Sequence, residues 1–316
     1  MSRNFKKMNE LISSLKIYGY DEEFSKLKNL IESNILPNKI LITGPKGIGK
    51  YTFAIHFINY VLSTNEENKY NSDNLSINKL NKSFTLMNNY THPCFNLINL
   101  KTSKKFIDIE QIRNSIVYTQ KKSFNNDKRF ILIDNVECLN ESSSNALLKV
   151  LEEPPENLHF FLIHSNTSNL IDTIKSRCIS FKKSFSNEET VQILNMIISN
   201  FNEHINECYL NKYHSIGEII SLIKFAKDNE INIKEIQTKE LINLIILKKF
   251  YKNDHFLSNF MPNLIHSYFY EKFKKNKNMK FFELYEYFII KINQTIKYNL
   301  DIENLFNEFK NKAINE

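Results

Sequence analysis

The chain has 316 residues, 42% of them apolar, and a formal net charge of +7, enough for two or three domains around at least one substantial core. No run reaches the eighteen or so uninterrupted apolar residues of a membrane span, and the opening MSRNFKKMNELISS lacks a signal-peptide apolar stretch, so the expectation is a soluble, cytoplasmic protein without membrane contact. The four cysteines (Cys94, Cys138, Cys178, Cys208) are scattered, which argues against a zinc site or a disulfide framework and leaves buried thiols as the expectation. The positive charge permits contact with nucleic acid, but Lys is spread along the whole chain and singles out no residues for it.

Through the first ~180 residues, apolar strand-like runs alternate with helical patterns, as in a parallel sheet with helical crossovers. KILIT (Lys39–Thr43) leads into GPKGIGKYT, and YTFAIHFINYVL (Tyr51–Leu62) leaves it with apolar residues three and four apart. Of only five glycines, Gly44, Gly47 and Gly49 fall within this loop, whose backbone therefore needs conformations closed to other residues. The polar, Asn-rich stretch Ser63–Ser83 reads as an exposed connection or a weak helix, and His92, without further ligands nearby, as part of a turn. CFNLINL (Cys94–Leu100), RFILID (Arg129–Asp134), HFFLIH (His159–His164) and CISFKK (Cys178–Lys183) read as further strands. SSSNALLKVLEE (Ser142–Glu153) is a helix stopped by Pro154 and Pro155. Beyond Ser184 only helical periodicity remains; it opens with a capping box, Ser186 to Glu189, and places Val191, Leu194, Ile198 and Phe201 on one face.

The loop fits G-x-x-x-x-G-K, the backbone cradle for nucleotide phosphates, with Gly44, Gly49 and Lys50 in place. Asp134, ending an apolar strand, stands where such proteins keep a metal-positioning acid. Two features break the pattern. Tyr51 occupies the Ser/Thr position that ligates magnesium, and Thr52 cannot replace it because one helical step turns the side chain by about 100°. Asn135 follows Asp134, and an amide cannot take a proton from water.

The segment from Arg129 to Phe181, with NALLKVLEEPP (Asn145–Pro155) and TIKSRC (Thr173–Cys178), resembles the bacterial DNA polymerase III clamp-loader subunits; IDIEQIR (Ile107–Arg113) and YTHPCF (Tyr90–Phe95) fit the same family. The resemblance implies an AAA+ P-loop module with a parallel sheet over 1–183, a small helical lid over 184–232 and an all-α collar over 233–316 that joins a hetero-oligomeric ring. It implies as partners the gamma/tau and delta subunits, the sliding clamp and primer-template DNA. Within that family the ATPase subunits carry a water-activating Glu where this chain has Asn135, and a lid Arg where HSIGEIISL (His214–Leu222) offers Glu218. The three departures together imply a delta-prime-like subunit that does not turn over ATP, with ATP or ADP held, if at all, without hydrolysis; the alternative is an active gamma/tau-type subunit. No metal is expected. The residues 63–93 also lack the four-cysteine zinc module of some relatives. Arg177, in the S-R-C motif, is implied to project into a neighbouring subunit's ATP site, whereas Gly44, Gly47, Gly49, Lys50, Tyr51, Asp134 and Asn135 form a degenerate nucleotide site.

Overall fold

The computed structural model describes residues 15–314 apart from 102–103, 121–127, 156, 199–200, 202–203, 276–278 and 299. The opening segment 1–14 lies outside the described residues. The chain divides into two compact units, Met1–Ser184 and Phe185–Glu316. The stretches read as lid and collar both fall in the second.

The first unit carries a five-stranded parallel sheet in the order β2-β3-β4-β1-β5. Its strands are β1 (Lys39–Thr43), β2 (Phe95–Ile98), β3 (Arg129–Ile133), β4 (Leu158–His164) and β5 (Ile179–Lys182). Helices α1 (Asp21–Glu32), α2 (Lys50–Leu62), α3 (Lys82–Asn88), α4 (Ile109–Gln120), α5 (Glu141–Glu152) and α6 (Asp172–Lys175) precede and connect them. Each residue of β3 and β4 is buried, which is why these strands read as unbroken apolar runs rather than as alternation. Alternate side chains still feed two different cores. Phe161 meets Phe57 of α2 at 5.7 Å and Phe130 at 6.0 Å between ring centroids, and Phe24, Tyr60 and Tyr70 extend that aromatic cluster. On the opposite parity Phe160, Leu162, Ile131, Ile133 and Leu41 pack with Ile112, Leu147, Leu151 and Ile174. Edge strand β5, by contrast, is mostly exposed.

The Asn-rich segment differs in part from its expectation. It is a connection rather than a helix up to Asn81 and about half of its residues are exposed, but Tyr70, Leu75 and Ile77 within it are buried. Amide side chains supply the hydrogen bonds that regular structure would otherwise provide. Asn81, fully buried, caps α3 through the Phe84 N–H (2.7 Å), accepts from Asn59 Nδ2 (2.9 Å) and donates to the Asn68 carbonyl (2.8 Å). Glu66 accepts from the N–H groups of Lys82 and Ser83, both at 2.9 Å, and from the Ser83 hydroxyl. His92 joins the same network, accepting the Cys94 N–H at 3.0 Å and meeting the Ser83 hydroxyl at 3.2 Å, which is the turn its position suggested.

The described residues of the second unit form α7 (Asn187–Ile197), α8 (Ile216–Asp228), α9 (Thr238–Leu247), α10 (Phe250–Asn253), α11 (His255–Lys275), α12 (Met279–Tyr298) and α13 (Ile302–Phe309) with short 3-10 and π turns. The Ser186–Glu189 capping box is present, and Ser215–Glu218 makes a second one opening α8. The buried face of α7 differs slightly from its expectation: Ile193 and Leu194 are buried, Val191 is half-buried, and the helix ends before Ile198, which is extended. Phe260, Phe288, Phe306 and Phe309 are buried in this unit, and no helix among the described residues is long and apolar enough to cross a membrane.

Asn81→Ala removes a cap and leaves two buried partners unpaired, so it is expected to destabilise the first unit by about 2–3 kcal/mol, read as a lowered denaturant midpoint at unchanged slope.

Candidate functional site: a closed phosphate-type loop and a distant arginine

The Gly-rich loop sits at the C-terminal ends of the strands, between β1 and α2. A methyl group at Gly44 would lie 2.1 Å from the Lys183 carbonyl oxygen, so only glycine allows the end of β5 to pass so close. Gly49 caps α2 at φ 90°, in the left-handed region, while Gly47 lies at the exposed crown with φ 80°. The loop is held from outside by Tyr20, whose hydroxyl donates to the Ile48 carbonyl (3.0 Å) and whose ring stacks on Phe53 at 4.7 Å. Burial pushes that phenol far above its ordinary range. Lys183 lies over the Tyr20 ring and pairs with Glu23 at 3.0 Å in a largely buried contact.

Lys50 is buried and turned onto its own loop, donating to the carbonyls of Gly44 (2.8 Å) and Pro45 (2.6 Å). Burial lowers its pKa to about 8, against the opposing pull of Asp134 and Glu137. Asp134 accepts the Asn135 backbone N–H (3.0 Å) and the Asn135 side-chain amide (2.9 Å). Its pKa is raised to about 6, first by burial and then by Glu137, with the Asn135 N–H and Lys50 pulling the other way. Asn135 adopts φ 55°, ψ 54°, a left-handed conformation that Asn tolerates well, and this is what wraps its amide back onto Asp134. Tyr51 stands at the same centre: burial raises its phenol pKa, and Tyr90 and Asp134 add to the shift.

The structure thus brings Gly44, Gly47, Gly49, Lys50, Tyr51, Asp134 and Asn135 together, and adds Tyr20, Glu137 and Lys183, which sequence reasoning missed. Glu137 accepts the Ser165 N–H (3.1 Å) and the Thr167 hydroxyl (3.0 Å), while its Oε2 is buried without a hydrogen-bond partner. Its only sequence signal was its place three residues after Asp134. Glu218 is occupied within the second unit, accepting the Ser215 N–H (2.8 Å) and the Asn263 amide (2.8 Å).

Arg177 is not part of this assembly. It lies two residues before Ile179, which pairs with Ile40, whereas the loop begins beyond the Thr43–Lys182 pair. At roughly 3.3 Å per residue the two stand on the order of 15–20 Å apart along the strands, at opposite ends of the sheet. The guanidinium is partly exposed and donates to Glu152 Oε1 and to the Thr173 carbonyl, both at 2.9 Å. The four cysteines are half-buried rather than enclosed as expected, Cys138 and Cys178 lying against the margin of the apolar cluster. Cys178 packs against the apolar cluster and burial pushes its thiol up to about 11, with Lys39 opposing.

A family model described as DNA polymerase III, delta subunit, matches residues 19–186, nearly the whole first unit. DNA polymerase III subunit delta' of Buchnera aphidicola (Schizaphis graminum strain) is 30% identical over 219 residues, covering 69% of this chain and 60% of that protein. The gamma subunit from the same organism is 34% identical over 166 residues, covering 48% of this chain and 43% of its own. The matches thus span less than two thirds of the length of these relatives. A solved DNA polymerase III gamma-subunit-related protein of Thermotoga maritima shares the fold, with a TM-score of 0.55, 16% identity, and 92% and 99% of the two chains covered.

The raised Asp134 pKa carries a sign. The folded state holds this proton more tightly than the unfolded chain, so stability falls as pH rises from about 4 through about 6 and stays reduced above that. Asp134→Asn removes the penalty but gives up one contact with Asn135. It is expected to stabilise the first unit by about 1–2 kcal/mol at pH 7.5, with the gain shrinking towards zero near pH 4. Thermal unfolding of both proteins across that range checks it.

Proposed function

The chain belongs to the DNA polymerase III delta-subunit family, and we propose that it is a delta-prime-like subunit of a clamp loader that hydrolyses no ATP itself and completes the ATP site of a neighbour with Arg177. In this reading its partners are gamma/tau and delta subunits, the sliding clamp and primer-template DNA, and its place is in the replication machinery of the cytoplasm.

The observation that carries the reading is the position of Arg177. A guanidinium on the surface, at the sheet end remote from its own loop, is out of reach of a phosphate held there, which supports a role towards another chain. Arginine suits the task because it stays charged and presents several donors in a fixed plane to the oxygens of a transferring phosphoryl group. The state of the loop supports the other half. Lys50, which would meet the outer phosphates, is engaged by loop carbonyls, so binding would first break two short hydrogen bonds. Asp134 is held by Asn135, Tyr51 stands in place of the magnesium-ligating Ser or Thr, and Asn135 stands where the ATPase subunits keep a water-activating Glu. Any one such loss commonly costs ~10²–10³ in rate, and the losses fall on different steps.

The similarity to gamma subunits keeps a second reading in view, that of an active gamma/tau-type ATPase. Phosphate release separates the two: the isolated chain with magnesium and ATP is expected to show no turnover above the blank, and steady hydrolysis would sink the proposal. In a complex reconstituted with gamma/tau and delta subunits, Arg177→Ala is expected to leave assembly intact by size-exclusion chromatography. It should lower hydrolysis at the interface it serves by ~10³ or more, read as the loss of that site's share of total turnover. Unchanged turnover would remove the trans-acting role.

A further inference from the structure

An arginine that must act across a subunit boundary faces an entropic difficulty, because a long side chain on the surface samples many rotamers and only some reach the neighbouring site. Here the guanidinium is not left free. It is fixed at two points supplied by different elements, the Thr173 carbonyl of α6 on one terminal nitrogen and the Glu152 carboxylate of α5 on the other. Both elements are anchored in the core. Ile174, next to Thr173, is completely buried, and Leu151, next to Glu152, is completely buried as well. The Leu151 carbonyl is tied to β1 by Lys39 Nζ at 3.0 Å. Asp172 and Lys175, the other ionised groups of the α6 turn, pair with each other, and among the described residues Glu152 is the carboxylate that meets Arg177. Each terminal nitrogen carries two N–H groups, so these two contacts leave further donors on the fork, and the side chain keeps about a third of its surface open to solvent.

We propose that Glu152 is a positioning residue for Arg177, holding the guanidinium extended at the subunit surface so that its remaining donors are presented to a neighbour's phosphate. The inference rests on the trans-acting reading of Arg177 and adds to it a role for the first acid of the E-E-P-P block. The helix must stop here for the geometry to hold: Pro154 and Pro155 end α5 directly after Glu153, leaving Glu152 on the last turn, beside the start of β5. The exposed ion pair contributes little stability of its own, about 0–1 kcal/mol, so its loss should not disturb the fold. Loss of orientation should instead appear in the chemical step rather than in nucleotide binding.

The test is a double-mutant cycle on ATP turnover by the reconstituted complex, with Arg177→Ala, Glu152→Gln and the pair. Glu152→Gln is expected to lower kcat by about tenfold at the dependent site with KM for ATP unchanged, and to have no further effect when Arg177 is already Ala. Glu152→Asp, which keeps the charge on a shorter arm, should recover part of the loss. An unchanged or increased kcat in Glu152→Gln would overturn the proposal, an increase meaning that Glu152 sequesters the arginine. An equal loss in the Arg177→Ala background would also overturn it, because the effect would then not pass through Arg177. If Arg177→Ala itself is silent, the trans-acting reading fails first and the positioning role falls with it; if Arg177→Ala is impaired and Glu152→Gln is not, only the positioning role fails.

Discussion

Every strand of the first unit's sheet runs in the same direction, and that polarity decides what each end of the unit can do. Parallel strands need helical crossovers, so one end collects the strand-to-helix turns and the other the helix-to-strand turns. The Gly-rich loop, Asp134 and Asn135 belong to the first kind of turn and converge. Arg177 belongs to the second and is excluded from them by the length of a strand. Nothing in the loop's own chemistry would separate these groups. The separation follows from burying β3 and β4 on both faces, which fixes the strand directions and registers that everything else inherits.

At the loop end, the charges satisfy one another or the backbone. Lys50 is bound by carbonyls, Asp134 by Asn135, and one oxygen of Glu137 by the turn after β4. The remaining Glu137 oxygen is buried and unpaired, and Asp134 holds its proton to about pH 6. Such a centre is costly in free energy and would be relieved by a cation or by protonation. A chain that retains the acid without the magnesium-ligating hydroxyl keeps the cost while losing part of the compensating chemistry.

Much of this was legible in the sequence, for definite reasons. Continuous apolar runs such as RFILI and HFFLI mark strands buried on both faces, and the loop glycines mark backbone that no other residue fits. The loop residues could be gathered because their motif is local. What escaped were contacts between distant positions carried by ordinary residues. Tyr20 holds the loop from 28 residues away, and Glu152 meets Arg177 across 25, with no local pattern to announce either. The Asn-rich segment failed differently. Its composition suggested solvation, but Asn81 and Asn68 spend their amides on neighbouring backbone and side chains, and the three apolar residues among them are enough to seal the knot.

The same contacts tie the regular loop to the sheet beside it. The absent side chain of Gly44 admits the Lys183 carbonyl, and the Lys183 N–H bonds the Thr43 carbonyl at 2.9 Å. The Lys183 ammonium pairs with Glu23 and covers Tyr20, which in turn holds Ile48 of the loop. The loop is therefore the fastening for the C-terminal end of β5. Arg177 stands just before the N-terminal end of that strand, which is an exposed edge with a single neighbour, β1. An edge strand so lightly buried depends on its two ends for register. Loosening the Gly44–Lys183 approach would let β5 shift, and with it the turn that carries Arg177 to Glu152. In this arrangement the phosphate-type loop fastens one end of the strand whose other end carries the Arg177 turn.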